Sequence, residues 1–532
     1  MPNEGKTLDK WLVEQADDTP IDIVYGGAYS IKDYYMESGN PRQMRGASQL
    51  LLDAAEEFEK YCYFACGAES FLIVPRGQGE VIATKLEDTF REKTLTAQAA
   101  AVWHKTTVGT LLDADAFGKL WKKLNRKFKE RRMLLFQPME LPADTFQYFI
   151  NTFGHFKPYI KWYKDGRLCS RCNYRKAAYV AQLEYEGEFL LCPSCAYKEA
   201  RGSYLLRTGY RWECMHFNKS IIWREEEEAE DDLFWPHGAQ DLGDHNGDIA
   251  LLYGDINNLG GAGQCLGGNA EQRKRFCEAV DKTVKEALYA AISKAVVISQ
   301  KDDLKRGERP RAKFEIIARG GDDTCVLLPG EVALLAGTLL LEEFDSLWAE
   351  TGFSALTISA GIAIGQANTP ILYMREAAEQ LLKLAKGKAH HENCSCLDIL
   401  SLNSDGQWAT NIEKKLREDL KKTEGGTRAI RTMRPFTVSE ARTFLACLQK
   451  HEVSKSTLHN IAEASDRCGI AEGDLWFRYL QSRHGDKAFD SLAMAYKCAM
   501  YYDVAGRKDG ITKISPWRDL AELQGQKGGE EI

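Results

Sequence analysis

The sequence predicts an α+β protein built on a duplicated, ferredoxin-like β-α-β-β-α-β sheet, and three observations carry that prediction. A strand, helix and hairpin pattern occurs twice, once from about residue 20 and again after residue 245. Two Cys-x-x-Cys pairs stand between the copies. Beyond residue 403, strand signals give way to amphipathic helical segments. At 532 residues the chain has length for three or four domains, and its 44% hydrophobic content supplies several cores and excludes global disorder.

In the first copy, residues 21–26 (IDIVYG) are apolar and β-branched, 46–61 (GASQLLLDAAEEFEKY) carry helical periodicity, and 62–75 (CYFACGAESFLIVP) read as two strands about a tight turn. The second copy repeats this with strand 248–258 (DIALLYGDINN), a helix over 271–296, and hairpin 313–330 (KFEIIARGGDDTCVLLPG). It continues with helix 331–351, strand 357–365 (TISAGIAIG), helix 372–386 and strand 396–402 (CLDILSL). Aligned side by side, 23–27 (IVYGG) matches 251–255 (LLYGD), and 65–70 (ACGAES) matches 318–323 (ARGGDD). On that alignment Gly27 replaces Asp255, while Glu69 and Ser70 replace Asp322 and Asp323, so only the second copy has the acids for chemistry. The predicted domains are 1–160, a degenerate first unit with a helical extension; 161–235, a zinc-binding insert and acidic linker; 236–402, the second unit; and 403–532, an α-helical C-terminal domain.

The net charge of -7 excludes a globally basic nucleic-acid coat. The acidic run 224–232 reads as a solvated linker, and Arg428, Arg431 and Arg434, three residues apart, as one helical face that either meets RNA phosphate or is simply solvated. No apolar run of about 18 residues occurs, and the first twenty residues lack signal-peptide character, so the expectation is a soluble, cytoplasmic protein with no membrane partner.

Of fifteen cysteines, four stand out by spacing: Cys169 and Cys172, then Cys192 and Cys195 after nineteen intervening residues. Two such knuckles aim four thiolates at one point about 2.3 Å from each sulfur, the geometry of a closed, structural Zn²⁺ site. Redox pairs or free thiols are the alternatives. The second constellation is Asp255 at a strand end with Gly320, Gly321, Asp322 and Asp323 at the neighbouring hairpin. Converging carboxylates repel unless hard cations join them, and two Mg²⁺ or Mn²⁺ ions so held suit nucleotide chemistry. The glycines leave room for a triphosphate, although a Gly/Asp turn also makes an ordinary hairpin. Lys386 ends a helix where it either meets phosphate or compensates the helix dipole.

These residues resemble the large, polymerase-like subunit of type III CRISPR effector complexes, a family with two Palm domains, a zinc-binding insert between them and a helical C-terminal domain. The resemblance rests on Ser30-Ile31-Lys32-Asp33-Tyr34 and Met44-Arg45-Gly46-Ala47-Ser48, on the four cysteines, and on the GGDD of 320–323. Ser359-Ala360-Gly361 with Ala385-Lys386 adds to it, as do 434–437 (RPFT) and 454–458 (SKSTL). It implies that Asp255, Asp322 and Asp323 hold the metal ions and that Gly320, Gly321 and Lys386 meet ATP. The product would be a cyclic oligoadenylate or a related AMP-containing messenger, made when target RNA pairs with a guide RNA inside a complex with other effector subunits. The first Palm would offer a second nucleotide pocket without a metal site of its own. Two departures stand out: no HD nuclease motif is found, so no DNase activity is expected, and Asn257 occupies a position where relatives often carry another acid. The alternatives are a catalytically silent RNA-binding scaffold and a free-standing GGDEF-like cyclic dinucleotide synthase.

Overall fold

Strand β1 (Pro20–Tyr29) sends Ile21, Ile23 and Tyr25 into one core and Val24 and Ala28 into another. That two-residue alternation is the signature of a strand covered on both faces. The computed structural model describes residues 8–134, 161–162, 166–183, 187–208, 236, 238–321, 323–402, 412, 421–424, 427–450, 453–484 and 512–528. After β1 come α1 (Ile31–Tyr35), α2 (Pro41–Glu56), β2 (Cys62–Cys66), β3 (Glu69–Pro75), α3 (Gly79–Thr94), β4 (Gln98–Thr107) and α4 (Ala114–Leu134). Asn40 caps α2 by accepting from the Gln43 amide, so this helix begins five residues before its periodicity suggested. The sheet runs β2-β3-β1-β4 with every pair antiparallel, the split order expected.

Next follow β5 (Lys161–Trp162), β6 (Tyr179–Leu183), β7 (Gly187–Leu191) and α5 (Pro193–Thr208). Helix α5 lies against α2 at backbone contact distance. A Cβ on Gly46 would fall 1.8 Å from the Lys198 carbonyl oxygen, and one on Gly202 would fall 1.9 Å from that of Arg42. Arg42 and Gln43 reach Glu199 at 3.1 and 2.9 Å, and Arg45 Nε donates to the Gly202 carbonyl. The linker run 224–232 lies outside the described residues.

The second sheet is built from β8 (Asp248–Ile256), α6 (Leu259–Cys265), α7 (Ala270–Lys305), β9 (Glu315–Gly320), β10 (Asp323–Pro329), α8 (Ala333–Glu350), β11 (Ile358–Gln366), α9 (Ile371–Glu392) and β12 (Cys396–Ser401). Beyond it come β13 (Lys421–Glu424), β14 (Thr427–Ile430), β15 (Phe436–Thr437), α10 (Val438–Lys450), α11 (Lys455–Cys468), α12 (Ile470–His484), β16 (Thr512–Ile514) and α13 (Trp517–Glu522). The strand order is β15-β12-β11-β8-β10-β9, in which β11-β8-β10-β9 repeats the order of the first sheet. Both cores run across the two sheets: Tyr25, Phe64 and Phe71 share one with Leu252 and Phe276, and Val24 and Leu72 share the other with Leu251 and Tyr253.

The C-terminal region is helical, with an addition that its patterning did not signal: β13, β14 and β16 form a small three-stranded sheet. That sheet corrects the reading of the three arginines. Arg428 lies on β14, not on a helix. Arg431 is buried and donates to the Asp466 carbonyl, and buried Arg434 pairs with Asp519 at 2.8 Å and Glu522 at 2.9 Å. An arginine so enclosed is retained by its carboxylates, since breaking one partner would strand a buried charge.

Asp398 on β12 belongs to the same buried group. Burial pushes its carboxyl up to about 7, against the pull of Arg434. The folded state therefore favours the proton-bound form, and the contribution of Asp398 to stability is lost as pH rises from about 4 to about 7. Asp398→Asn removes that dependence: its stability gain over wild type should grow across this window, up to about 4 kcal/mol, and stay level above it. Thermal melts of both proteins from pH 4 to pH 8 check this.

Candidate active site

The second sheet ends in a cross-strand pair of acids. Asp255 on β8 lies directly opposite Asp323 on β10 and, on its other side, opposite Ser359 on β11. Gly254, one residue earlier, is required by packing, because a Cβ there would meet Thr324 Oγ1 at 2.5 Å. Like charges placed opposite one another destabilise a strand pair, so each carboxylate calls for a cation. Lys386 Nζ from α9 donates to Asp255 Oδ2. Lys32 Nζ from α1, in the first sheet's unit, stands 3.2 Å from Asp323 Oδ1 and 4.9 Å from the centre of the Tyr253 ring. Tyr253 donates its hydroxyl to Asp323 Oδ1 at 3.1 Å. Burial raises the Asp255 carboxyl above its ordinary range, the Asp323 charge adds to this, and Lys386 opposes it. Burial likewise raises the Tyr253 phenol, which stays protonated and a donor.

Of the expected site residues, Asp255, Asp323 and Lys386 are brought together, and Gly320 ends β9 opposite Asp323. Asp322 lies outside the described residues. Gly321 takes φ +66, and a Cβ on it would fall 2.8 Å from the Cα of Gly67, the turn residue of the first hairpin. Its bareness thus serves the meeting of two hairpins. Asn257 is a structural residue: its Nδ2 donates to Thr357 Oγ1 at 2.9 Å and its Oδ1 accepts from Ser359 Oγ at 3.0 Å.

Strand register corrects the alignment of the two copies. Gly27 opposes Glu69 as Asp255 opposes Asp323, and Cys66 opposes Glu69 as Gly320 opposes Asp323. Glu69 is therefore the counterpart of Asp323, and Ala68 that of Asp322. The first copy keeps one acid of the pair, complete with its tyrosine, for Tyr25 donates to Glu69 as Tyr253 does to Asp323. The matching continues past the strand: Ser30 and Asn258 both sit before a short helix at φ 52 and φ 54.

Residues 248–394 match the protein family described as Cas10/Cmr2, second palm domain. Strands β8 to β11 of the second sheet lie within that match. Among solved structures, the chain is similar in fold to Csm1 in T. onnurineus, with 12% identity, a TM-score of 0.54, and coverage of 95% of this chain and 70% of that one. It is similar also to a Csm1–Csm4 cassette in complex with cA3, at 13% identity and TM-score 0.51 over 98% and 71% of the chains. A cassette in complex with pppApApA gives 13%, 0.51, 96% and 70%. At such identities the likeness is one of fold. The chain spans 65% to 71% of the length of the first chains it matches. No curated protein matches its sequence.

The insert beside the first sheet holds the four cysteines. Cys169, Cys172, Cys192 and Cys195 are buried and free of disulfides, with all four sulfurs within 4.8 Å of one another and Cys172 and Cys192 at 3.9 Å. A tetrahedral Zn²⁺ with bonds of about 2.3 Å needs this spacing, and the soft donor set suits it. The cluster is tied to α1. Buried Lys198, three residues after Cys195, donates to the Tyr34 carbonyl at 2.6 Å and to Glu37, and sits over the Tyr34 ring. Burial alone would raise Glu37, but Arg175 and Lys198 hold it below the ordinary carboxylate range. The insert thus braces the short helix that presents Lys32 to the second sheet. Lys32 escaped assignment from sequence because nothing local links residue 32 to residue 323; Tyr253 escaped because it reads as one more apolar strand residue.

Two further acids, Asp244 and Glu331, cluster with His245 at the far end of β10, where Lys527 answers Glu331 at 2.6 Å. Among the described residues no helix is long and apolar enough to cross a membrane. Metal analysis of the purified chain should find about one zinc per molecule. Cys192→Ser should lose it and open the insert to limited proteolysis, while Cys447→Ser, remote from the cluster, retains it.

Proposed function

We propose that the Cas10/Cmr2 palm of this chain is a nucleotidyltransferase site that converts ATP into a signalling nucleotide, a cyclic oligoadenylate or a related AMP-containing messenger. The observation that carries the reading is the cross-strand pair of Asp255 and Asp323 at the open end of the sheet, flanked by two lysines. Asp255 and Asp323, with Asp322 next to the latter in sequence, are the residues that would hold Mg²⁺ or Mn²⁺: Asp255 and Asp323 are hard oxygen donors on adjacent strands, and the Asp323 charge adds to the rise of the Asp255 carboxyl. Divalent ions bound there would supply charge neutralisation of the triphosphate and activation of the attacking hydroxyl.

The protein's own contributions follow from the geometry. The 3′ hydroxyl of one nucleotide attacks the α-phosphorus of the next and pyrophosphate departs, so the protein's task is positioning and charge balance. Lys386 and Lys32 neutralise the pair of acids, and with cations bound there they would be available to meet the phosphates. Tyr253 fixes the orientation of Asp323. The first sheet, with Glu69 in place of Asp323 but Gly27 in place of Asp255, supplies a nucleotide pocket with half of the acid pair.

We take the division into a first Palm (1–160), zinc insert (161–235), second Palm (236–402) and helical domain (403–532) as the working architecture. The partners in this reading are the other subunits of a cytoplasmic type III CRISPR effector complex, with guide RNA and target RNA held through them. Support comes from the palm match and from the likeness in fold to Csm1.

The test is incubation of the complex with labelled ATP, Mn²⁺ and cognate target RNA. Asp255→Asn and Asp323→Asn should each reduce product by roughly 100-fold or more, the scale on which a single electrostatic contributor acts. Lys32→Ala should raise the KM for ATP while leaving zinc content at the wild-type level. Product formation unchanged in both Asp variants would overturn the site assignment, and no ATP turnover by the wild-type complex would leave the silent scaffold.

A further inference from the structure

Helix α4 carries eight Lys and Arg against two acids within twenty-one residues, in a chain whose net charge is -7. Its apolar side is consumed by the fold: Phe117, Leu120, Leu124 and Phe128 are buried in the first core. The opposite side exposes Lys119, Lys122, Lys123, Arg126 and Lys129. These stand at successive i,i+3 and i,i+4 steps, where like charges repel and weaken a helix. Arg126 has Glu130 at 3.7 Å; Arg131, beyond the stripe, is held by Glu87 at 2.7 Å.

The same molecule shows how a merely solvated helix is composed. Along α7, charges are answered one turn away in four pairs, Glu271 by Arg275, Lys274 by Glu278, Asp281 by Lys285 and Lys282 by Glu286. Helix α4 lacks that compensation. The field it makes is felt by His104 on β4: Lys123 and Lys127 reinforce its burial in holding the imidazole below its ordinary value.

We propose that the exposed face of α4 is a docking surface for a nucleic-acid strand, held through its phosphodiester backbone. Chemistry selects this occupant. A bilayer surface needs apolar side chains on the helix face that enters it, and those of α4 between 117 and 128 are already buried in the protein. A protein partner needs aromatic or aliphatic anchors at the centre of its contact, and the stripe from Lys119 to Lys129 exposes only charged side chains. A row of lysines about one turn apart, running about 15 Å along the helix, suits repeated phosphates instead. Contacts of this kind carry no base preference, and they are separate from the palm acids.

The experiment measures binding of a fluorescent 20-nucleotide RNA to the full chain by anisotropy across a salt series. The variants are Lys119→Gln/Lys122→Gln/Lys123→Gln/Lys129→Gln and the same four positions changed to Arg. Removing four phosphate contacts should lower the slope of log K against log salt by about 3, since each contributes about 0.7 on a single strand. The arginine variant should keep the wild-type slope, and DNA of the same sequence should bind alike. Mn²⁺-dependent ATP binding by the chain reports on the palm and is expected to stay unchanged, so failure here and failure of the palm reading are told apart. An unchanged slope in the Gln variant overturns the proposal. So does displacement of the RNA by polyglutamate at equal charge concentration, which marks an acidic protein's site, or binding to phosphatidylserine vesicles that the four Gln substitutions abolish while RNA binding persists.

Discussion

Two carboxylates set face to face across an antiparallel strand pair repel, and the surroundings of Asp255 and Asp323 are arranged around that repulsion. One cation comes from within the same sheet's unit, on α9, and the other from the opposite unit, on α1. The second choice has wide effects. Because Lys32 crosses from one sheet to the other, the acid pair is complete only when both units are correctly apposed. The placement of Lys32 in turn rests on α1, which Lys198 and Glu37 fasten to the cysteine cluster. The cysteine cluster and the acid pair, which share no residue, are thereby parts of one mechanical path.

Much of this was legible in the sequence, and the reason is local. The strands of the second sheet are short apolar runs with turn residues between them, so their order along the chain follows from patterning alone, and the spacing of two Cys-x-x-Cys pairs marks a cluster of four thiols. Asp255 and Asp323 were legible because strand ends and hairpin turns are where carboxylates converge. What escaped was everything settled by contacts distant in sequence. Lys32 meets Asp323 across 291 positions; Arg434 disappears into a group with Asp519 and Glu522 although its spacing from Arg431 suggested an open helix face. The three-stranded sheet of the C-terminal region joins segments over eighty residues apart, two of them four residues long, too short for alternation to register.

The one-residue error in aligning the hairpins is instructive in the same way. Both turns contain two residues and both copies contain an Ala-x-Gly, so identity pulls the match to the wrong frame. Backbone pairing restores it, because a strand shifted by one residue would turn every side chain to the other face. With the frame corrected, the first copy is less degenerate than it looked: its tyrosine and one acid survive, and the loss is concentrated at Gly27.

The two hairpin glycines have a consequence of a different kind. Gly67 and Gly321 are counterparts, and they touch each other, in the way that equivalent residues of a two-fold dimer meet at its axis. In a dimer of identical chains, any change at such an axis is imposed on both sides at once, and an improvement on one side that harms the other is unavailable. Here the halves are fused in one chain, so each side of the axis is free to mutate alone. One half has kept both acids and the other has become a partner shaped to it, an asymmetry that a symmetric assembly has no means of encoding.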